Sequence, residues 1–562
     1  MELKDIILKY ALQNAVKFNG RANPGAIIGK LLKDDDDLKT RIKELSKDIQ
    51  KTVKKVNKLS LDEQKAKLKE IAPEMLEKKK AEKKELPELK NAIMGKVVTR
   101  IPPEPSKYNH IGHALSFLLN YLYAKKYNGK SVLRFEDTNP TASKQEYVDA
   151  MKKDVLEYLN IKPDKTVFVS DDMPKFYKLA EDLIKRSEAY VCFCDREKMQ
   201  DLRHKGKECE CRNNVAEKNL EEWKKMLSRK YKEGECVLRL KIDLESDNHV
   251  MRDPVIFRLC YTEHYRQKEK YCVWPMYDFE NAVEEEFCGI THILRSSEFG
   301  NMRIELQDYI KGLFGFKKQE VIQYGRFNVV GAITQGREIR QLIEDKKVIG
   351  WDDPRLVTLR ALKRRGIVPE MFYELVLKVG LSKTPTNIDW TVISSINRKI
   401  LDQNSDRYFF IDDPKEIAIK NAPNLDIKIK LHPEHEERGT RNLKTNENFY
   451  ISEKDFNELK EGELYRLMHA FNFKKQKNQF VFDSKELEKY KQNGKKIMHW
   501  LPKDEKLVDA EVLMPDAKIV KGVAEPSVKN IKINDVVQFE RFGFCKLDSI
   551  EKDKLVFWFT HE

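Results

Sequence analysis

A chain of 562 residues is too long for one hydrophobic core and is expected to divide into several domains. Its 106 basic and 92 acidic residues leave a net charge of +14, compatible with a polyanionic partner but too diluted to identify one. No run reaches the roughly eighteen apolar residues of a membrane helix, the start lacks a signal-peptide profile, and nine cysteines without a secretion signal read as thiols or metal ligands, so the expectation is a cytoplasmic protein without a membrane partner.

In chain order, residues 1–92 read as a helical region, with Ile7, Tyr10, Ala11, Ala15 and Phe18 at helical spacing and breaks at Asn19-Gly20 and Asn23-Pro24-Gly25. Asp34 to Asp37 and the lysine-rich run at 78–84 read as solvated charge. Residues 93–325 read as an α/β unit interrupted by a segment at about 171–272, and 326–402 as helix-rich, with Trp351 to Arg355 as a helix-start signal. From 403 to 562, short alternating or apolar runs such as Ile427 to Leu431, Gln479 to Phe482, Val536 to Phe542 and Leu555 to Phe559 predict strands that suit closed barrels. The fold class is therefore multidomain, α/β plus all-β, with a helical N-terminal region.

Within the α/β unit, Val97 to Leu119 reads strand, loop, helix, and the tetrad His110-Ile111-Gly112-His113 lies where the loop becomes the helix. Free NH groups and partial positive charge at a helix start beside the ends of parallel strands suit phosphates. Taken alone, the tetrad fits an ordinary capped helix equally well. With the Pro102 to Pro105 approach and the Arg134 to Pro140 strand end, the segment resembles the class I aminoacyl-tRNA synthetases of the glutamyl and glutaminyl group, and over nearly the whole chain their archaeal members.

That resemblance implies a Rossmann-like catalytic domain with an acceptor-binding insertion, a helical stem-contact region and C-terminal anticodon-binding barrels. The implied reaction ligates L-glutamate to tRNA(Glu) through glutamyl-adenylate, with ATP and Mg2+; archaeal members commonly charge tRNA(Gln) as well. His110 and His113 would contact the ATP phosphates and Gly112 would leave room for the adenine. Arg100, Glu136 and Tyr277 would line the amino-acid pocket, with Glu136 taking the α-ammonium. Arg295 would pair with the side-chain carboxylate of glutamate, where glutaminyl enzymes place a neutral residue.

Two stretches depart from the pattern. The family usually has glycine and leucine where Lys107 and Asn109 stand, and lysine resists backbone angles that glycine adopts. The second signature, a loop whose lysine binds the ATP phosphates, should precede Trp351, but Gly331 to Arg340 lacks the usual Ser-Lys and puts Gly336 or Glu338 at the expected lysine. Arg326, Arg337 and Arg340 are the cations available to replace it, and they also fit a solvated role; Ser382-Lys383 lies too far downstream. In the insertion, Cys192, Cys194, Cys209 and Cys211 form two Cys-x-Cys pairs that would close a structural Zn2+ site or remain reduced thiols. Two rivals stay open: a glutaminyl enzyme, against which Arg295 counts, and a tRNA-binding protein that has lost activation.

Overall fold

The computed structural model describes residues 3–17, 20–34, 42–72, 75 and 85–562. The chain divides into two compact units, Met1–Glu85 and Leu86–Glu562. Leu86 and Leu89 already belong to the core of the second unit, so its packing begins ahead of residue 92.

In the first unit, helices Leu3–Lys17, Pro24–Asp34, Ile42–Val56 and Leu61–Ile71 bury Ile7, Ala11, Ala15, Ile27, Ile49, Val53 and Leu68. Ser60 and Glu63 cap the fourth helix reciprocally, which satisfies NH groups that a helix start leaves unpaired. Phe18, Asn19, Asp35 to Asp37 and the 78–84 run lie outside the described residues.

The second unit opens with strand Val98–Ile101, helix Ile111–Lys126 and strand Lys130–Phe135, and the two strands pair in parallel. Strand Lys165–Phe168 adds to the far edge of the second of these, also in parallel. On the other side of Val98–Ile101 runs His292–Ser296, itself parallel to Glu320–Tyr324. Thr291 N donates to Val98 O at 3.0 Å, and Arg100 Nη1 donates to Leu294 O at 3.2 Å, tying the two groups together. The strand order thus reverses at Val98–Ile101, the arrangement that opens a crevice at the carboxyl ends of the strands. Apolar residues at helical spacing, among them Leu115, Leu118 and Leu119, bury one face of Ile111–Lys126 against Ile101, Leu133 and Phe135.

The insertion is a four-stranded antiparallel sheet, Ala189–Cys192, Val237–Leu240, Val255–Leu259 and Val273–Pro275, paired in chain order. Trp223, Phe257 and Trp274 form its core together with Phe279, Val283 and Ile310 of the α/β unit, so the last strand leads directly into helix Tyr277–Phe287.

Residues 326–402 hold helices Gly336–Glu344, Leu359–Arg364, Pro369–Val379 and Trp390–Leu401 beside the parallel strand pair Phe327–Val329 and Thr386–Ile388, and the Trp351 to Arg355 signal does not start a helix. Asp353 spends its carboxylate on Ile349 N, Arg355 N and the Arg355 guanidinium, closing a turn, and the next helix, Leu359–Arg364, is capped by Thr358.

The C-terminal region forms two seven-stranded sheets. In one, the edge strands Arg407–Tyr408 and Phe410–Asp412 are separated only by Phe409; in the other, Gly494–Met498 and Leu501–Pro502 are separated by His499 and Trp500. Each sheet therefore curls until its two edges meet in one continuous stretch of chain, as a barrel requires. Phe409 enters the core of the second sheet and Phe410 that of the first, so alternation along one strand stitches both together. Two short helices, Glu453–Asn457 and Leu487–Asn493, interrupt the otherwise all-β pattern.

Candidate active site

The crevice at the strand-order reversal is a cavity of about 730 Å³, lined among others by Arg100, Lys107, His110, His113, Glu136, Tyr277, Arg295 and Arg326. It gathers residues spread over the whole α/β unit.

At one end stands the tetrad. His110 is the N-cap of Ile111–Lys126; its Nδ1 accepts from Gly112 N at 3.0 Å, and His113 Nδ1 accepts from His110 N at 3.1 Å. An Nδ1 that accepts carries no proton, so in the neutral ring the N–H is on Nε2. Burial first, then the neighbouring Lys107 and Arg326 cations, push the His110 pKa down to about 3; burial and its proximity to His110 push that of His113 well down too. Both rings are thus neutral donors at physiological pH, with centroids 3.9 Å apart. Gly112 lines the same wall, and a Cβ there would lie 2.9 Å from His110 Cε1 and 3.3 Å from Phe327 O, so a side chain would displace the imidazole.

The loop before the tetrad accommodates its two unusual residues. Lys107 is absent from the residues with left-handed backbone, so it carries no glycine-like strain. Asn109 is buried and donates from Nδ2 to Asp154 Oδ2 at 3.1 Å, which gives a polar side chain in an apolar position its partner.

The other end is set by a buried charge network. Arg100 Nε donates to Glu285 Oε1 at 2.9 Å, and Arg134 Nη2 reaches the same atom at 3.2 Å and Glu136 Oε1 at 2.8 Å. Burial opposes the ionised form of Glu285, but the Arg134 and Arg100 cations prevail and hold it at about 2. Asn281 Nδ2 also donates to Glu136 Oε1, at 3.1 Å, so that oxygen is held from two sides. Tyr277 opens helix Tyr277–Phe287 and stacks on Phe299 with ring centroids 5.6 Å apart.

Arg295 projects from His292–Ser296 and is 4% exposed. Its Nη1 donates to Gln307 Oε1 at 2.9 Å, while Nε and Nη2 are buried without a partner. Two unpaired guanidinium donors are costly in a buried setting unless an anion meets them.

Of the loop cations, Arg326 lines the cavity and is tied to Glu298 Oε1 at 2.9 Å. Arg340 is exposed and donates to Ser106 O at 3.3 Å, while Arg337 is exposed on helix Gly336–Glu344 and is not brought to the cavity wall. Sequence reasoning missed Arg134, Glu285 and Gln307: Arg134 lay in view in the strand segment, but nothing in sequence pairs it with Glu285 across the fold.

Apart from the cavity, Cys192, Cys194, Cys209 and Cys211 bring their sulfurs within 4.8 Å of one another. Cys192 and Cys209 Sγ are 3.8 Å apart, close to the roughly 3.8 Å edge of a tetrahedron with metal–sulfur bonds of about 2.3 Å, so the donor set fits zinc. Arg239 Nη1 lies 3.7 Å from Cys192 Sγ and 3.8 Å from Cys209 Sγ, a cation suited to offset thiolate charge.

Residues 96–403 match the family profile for tRNA synthetases class I (E and Q), catalytic domain, and 405–491 and 497–548 match two profiles for anti-codon binding domains of the same class. The chain is 43% identical to the glutamate–tRNA ligase of Pyrococcus abyssi, 42% to that of Pyrococcus furiosus and 38% to that of Methanocaldococcus jannaschii, in each case over 100% of both chains. With the crevice, the tetrad and the two curled sheets in place, the chain belongs to the class I tRNA synthetases of the E and Q group.

Proposed function

We propose that the protein ligates L-glutamate to tRNA(Glu) in the cytoplasm, using ATP as its magnesium complex. The observation that carries this reading is Arg295, whose two unpaired buried donors line the same cavity as Glu136. A cation and a carboxylate in one cavity match an amino acid with a carboxylate side chain: Glu136 takes the α-ammonium and Arg295 the γ-carboxylate, while Arg100 and Tyr277 complete the pocket. Glutamine would leave Arg295 buried without a counter-charge, which argues against the glutaminyl alternative.

The α-carboxylate of glutamate attacks the α-phosphorus of ATP and pyrophosphate leaves; a terminal hydroxyl of the tRNA then displaces AMP. Such chemistry needs positioning and stabilisation of phosphate charge more than proton transfer. Neutral Nε2–H donors of His110 and His113 and the start of helix Ile111–Lys126 suit the phosphates, Gly112 permits close approach and Arg326 adds charge. The two curled sheets would hold the anticodon, and the four cysteines would hold a structural zinc in the insertion.

Charging of tRNA with labelled glutamate or glutamine, in wild type and Arg295→Gln, tests the reading, with tRNA(Gln) as a second acceptor. Wild type is expected to charge glutamate, and Arg295→Gln to lose about two to three powers of ten in kcat/KM for it, as removal of one partner of a buried charge pair costs. Charging with glutamine alone would overturn the assignment of Arg295. Tight tRNA binding with no charging would favour the binding-protein alternative.

A further inference from the structure

The loop that should carry a phosphate-binding lysine has Gly336 or Glu338 at the expected position, and the side chain nearest to Gly336 is itself a lysine. A Cβ built on Gly336 would lie 2.8 Å from Cδ and 3.3 Å from Cβ of Lys107. The stem of Lys107 therefore occupies the space into which a side chain at 336 would start. Lys107 stands where the family resemblance implies glycine, and Gly336 is one of the two positions, with Glu338, where it implies lysine. Two departures far apart in the sequence are thus in contact in space.

Lys107 lines the cavity beside His110 and His113, and its charge helps depress both imidazoles. The charged groups that face it are Glu104 and Glu298, which favour the ammonium, and Arg326 and Arg340, which oppose it; burial dominates and lowers its pKa. Among the described residues no carboxylate is hydrogen-bonded to Lys107 Nζ. Arg326 is committed to Glu298, and Arg340 points at Ser106 O. The backbone behind Lys107 is fixed, since Asn109 O accepts from Leu359 N at 2.9 Å and Ile111 N donates to Val357 O at 3.1 Å.

We propose that Lys107 supplies the ammonium for the ATP phosphates that the 336 loop lacks, so that the phosphate-binding lysine has moved from the second signature to the loop preceding the first. This rests on the reading that the cavity binds ATP. A lysine acts on phosphate as a point charge on a long stem, so what matters is where Nζ sits, and two loops in contact can exchange the backbone that carries it. A lysine at each position would crowd the other.

The test compares wild type with Lys107→Gly, Lys107→Met, Gly336→Lys and the double variant Lys107→Gly/Gly336→Lys. Glutamate charging at varied ATP, calorimetric ATP binding, tRNA binding and thermal melting are measured for each. Lys107→Gly and Lys107→Met are expected to lose about 10²- to 10³-fold in kcat/KM for ATP, as removal of a donor to developing phosphate charge does, with tRNA affinity unchanged. Gly336→Lys alone is expected to be impaired by crowding, and the double variant to recover to within about tenfold of wild type.

Lys107→Met keeps the stem against Gly336, so a folded Lys107→Met protein with wild-type charging overturns the proposal even if the glycine variants do not fold. A folded double variant no better than Lys107→Gly overturns it too. Wild type that fails to charge glutamate sinks the functional reading instead; equal ATP affinity of wild type and Lys107→Met sinks this one.

Discussion

Burial acts in opposite ways on the ionisable residues around the crevice, and their partners decide the outcome. Glu285 stays ionised because Arg134 and Arg100 outweigh its burial, whereas Asp154, with only Asn109 donating to it, has its pKa pushed up to about 7 by burial. A carboxyl whose folded pKa lies above its ordinary 3.8 contributes stability that is present at low pH and lost as pH rises toward 7. Asp154→Asn keeps an acceptor for Asn109 and removes the proton. The variant is expected to gain on wild type between about pH 4 and 7, by at most about 1.4 kcal/mol per pH unit, and no further above that. Denaturant unfolding at pH 4, 6 and 8 measures it; a constant difference across the series would refute the buried-acid account.

At the scale of elements, the four cysteines gather at one edge of the insertion, away from its apolar core. Cys192 ends strand Ala189–Cys192 and Cys209 precedes a short turn at Glu210–Asn213, so a metal would clip a sheet edge to a loop with little secondary structure of its own. The purified protein is expected to contain equimolar zinc and to lose it in Cys209→Ser. Protease cleavage around residues 193–215 should then accelerate while the α/β core stays intact. Metal-free protein with the same cleavage pattern would show four ordinary thiols. The Cys-x-Cys spacing announced this cluster, because both pairs are local in the chain. The Trp351 to Arg355 turn misled for the same reason in reverse: Asp353 carries a good helix-start residue type, and which NH groups it accepts from is decided by the turn it closes.

Across the whole second unit, the barrels are fastened to the helical region by Arg364. Its Nε and Nη2 meet Asp548 at 2.7 Å each, its Nη1 meets Asp352 at 2.7 Å, and its guanidinium lies 4.2 Å from the Trp558 ring. Arg365 Nη2 adds a bond to Thr560 O at 3.2 Å. Arg364→Ala is expected to cost about 1.5–3 kcal/mol, the range for hydrogen bonds to charged groups. Calorimetry should then resolve separate transitions for the α/β and β regions. One unchanged cooperative transition would show that apolar packing alone couples them.

Sequence alone determined the classes of element, because helical spacing and strand alternation are local patterns, and the family resemblance carried by His110-Ile111-Gly112-His113 and its flanks named eight of the residues that line the crevice. Arg100, Glu136, Tyr277 and Arg295 were legible through their flanking frames, and the lining of the cavity includes all four. Tertiary structure alone decided what joins distant stretches of chain: the Arg100–Glu285–Arg134 network, the closing of each sheet through Phe409 or through His499 and Trp500, and the contact of Lys107 with Gly336. Read one at a time, the lysine at 107 and the loop without its expected lysine look like two unrelated departures. Only folding brings Lys107 against Gly336, where an added Cβ would lie 2.8 Å from Lys107 Cδ and force the lysine stem to shift.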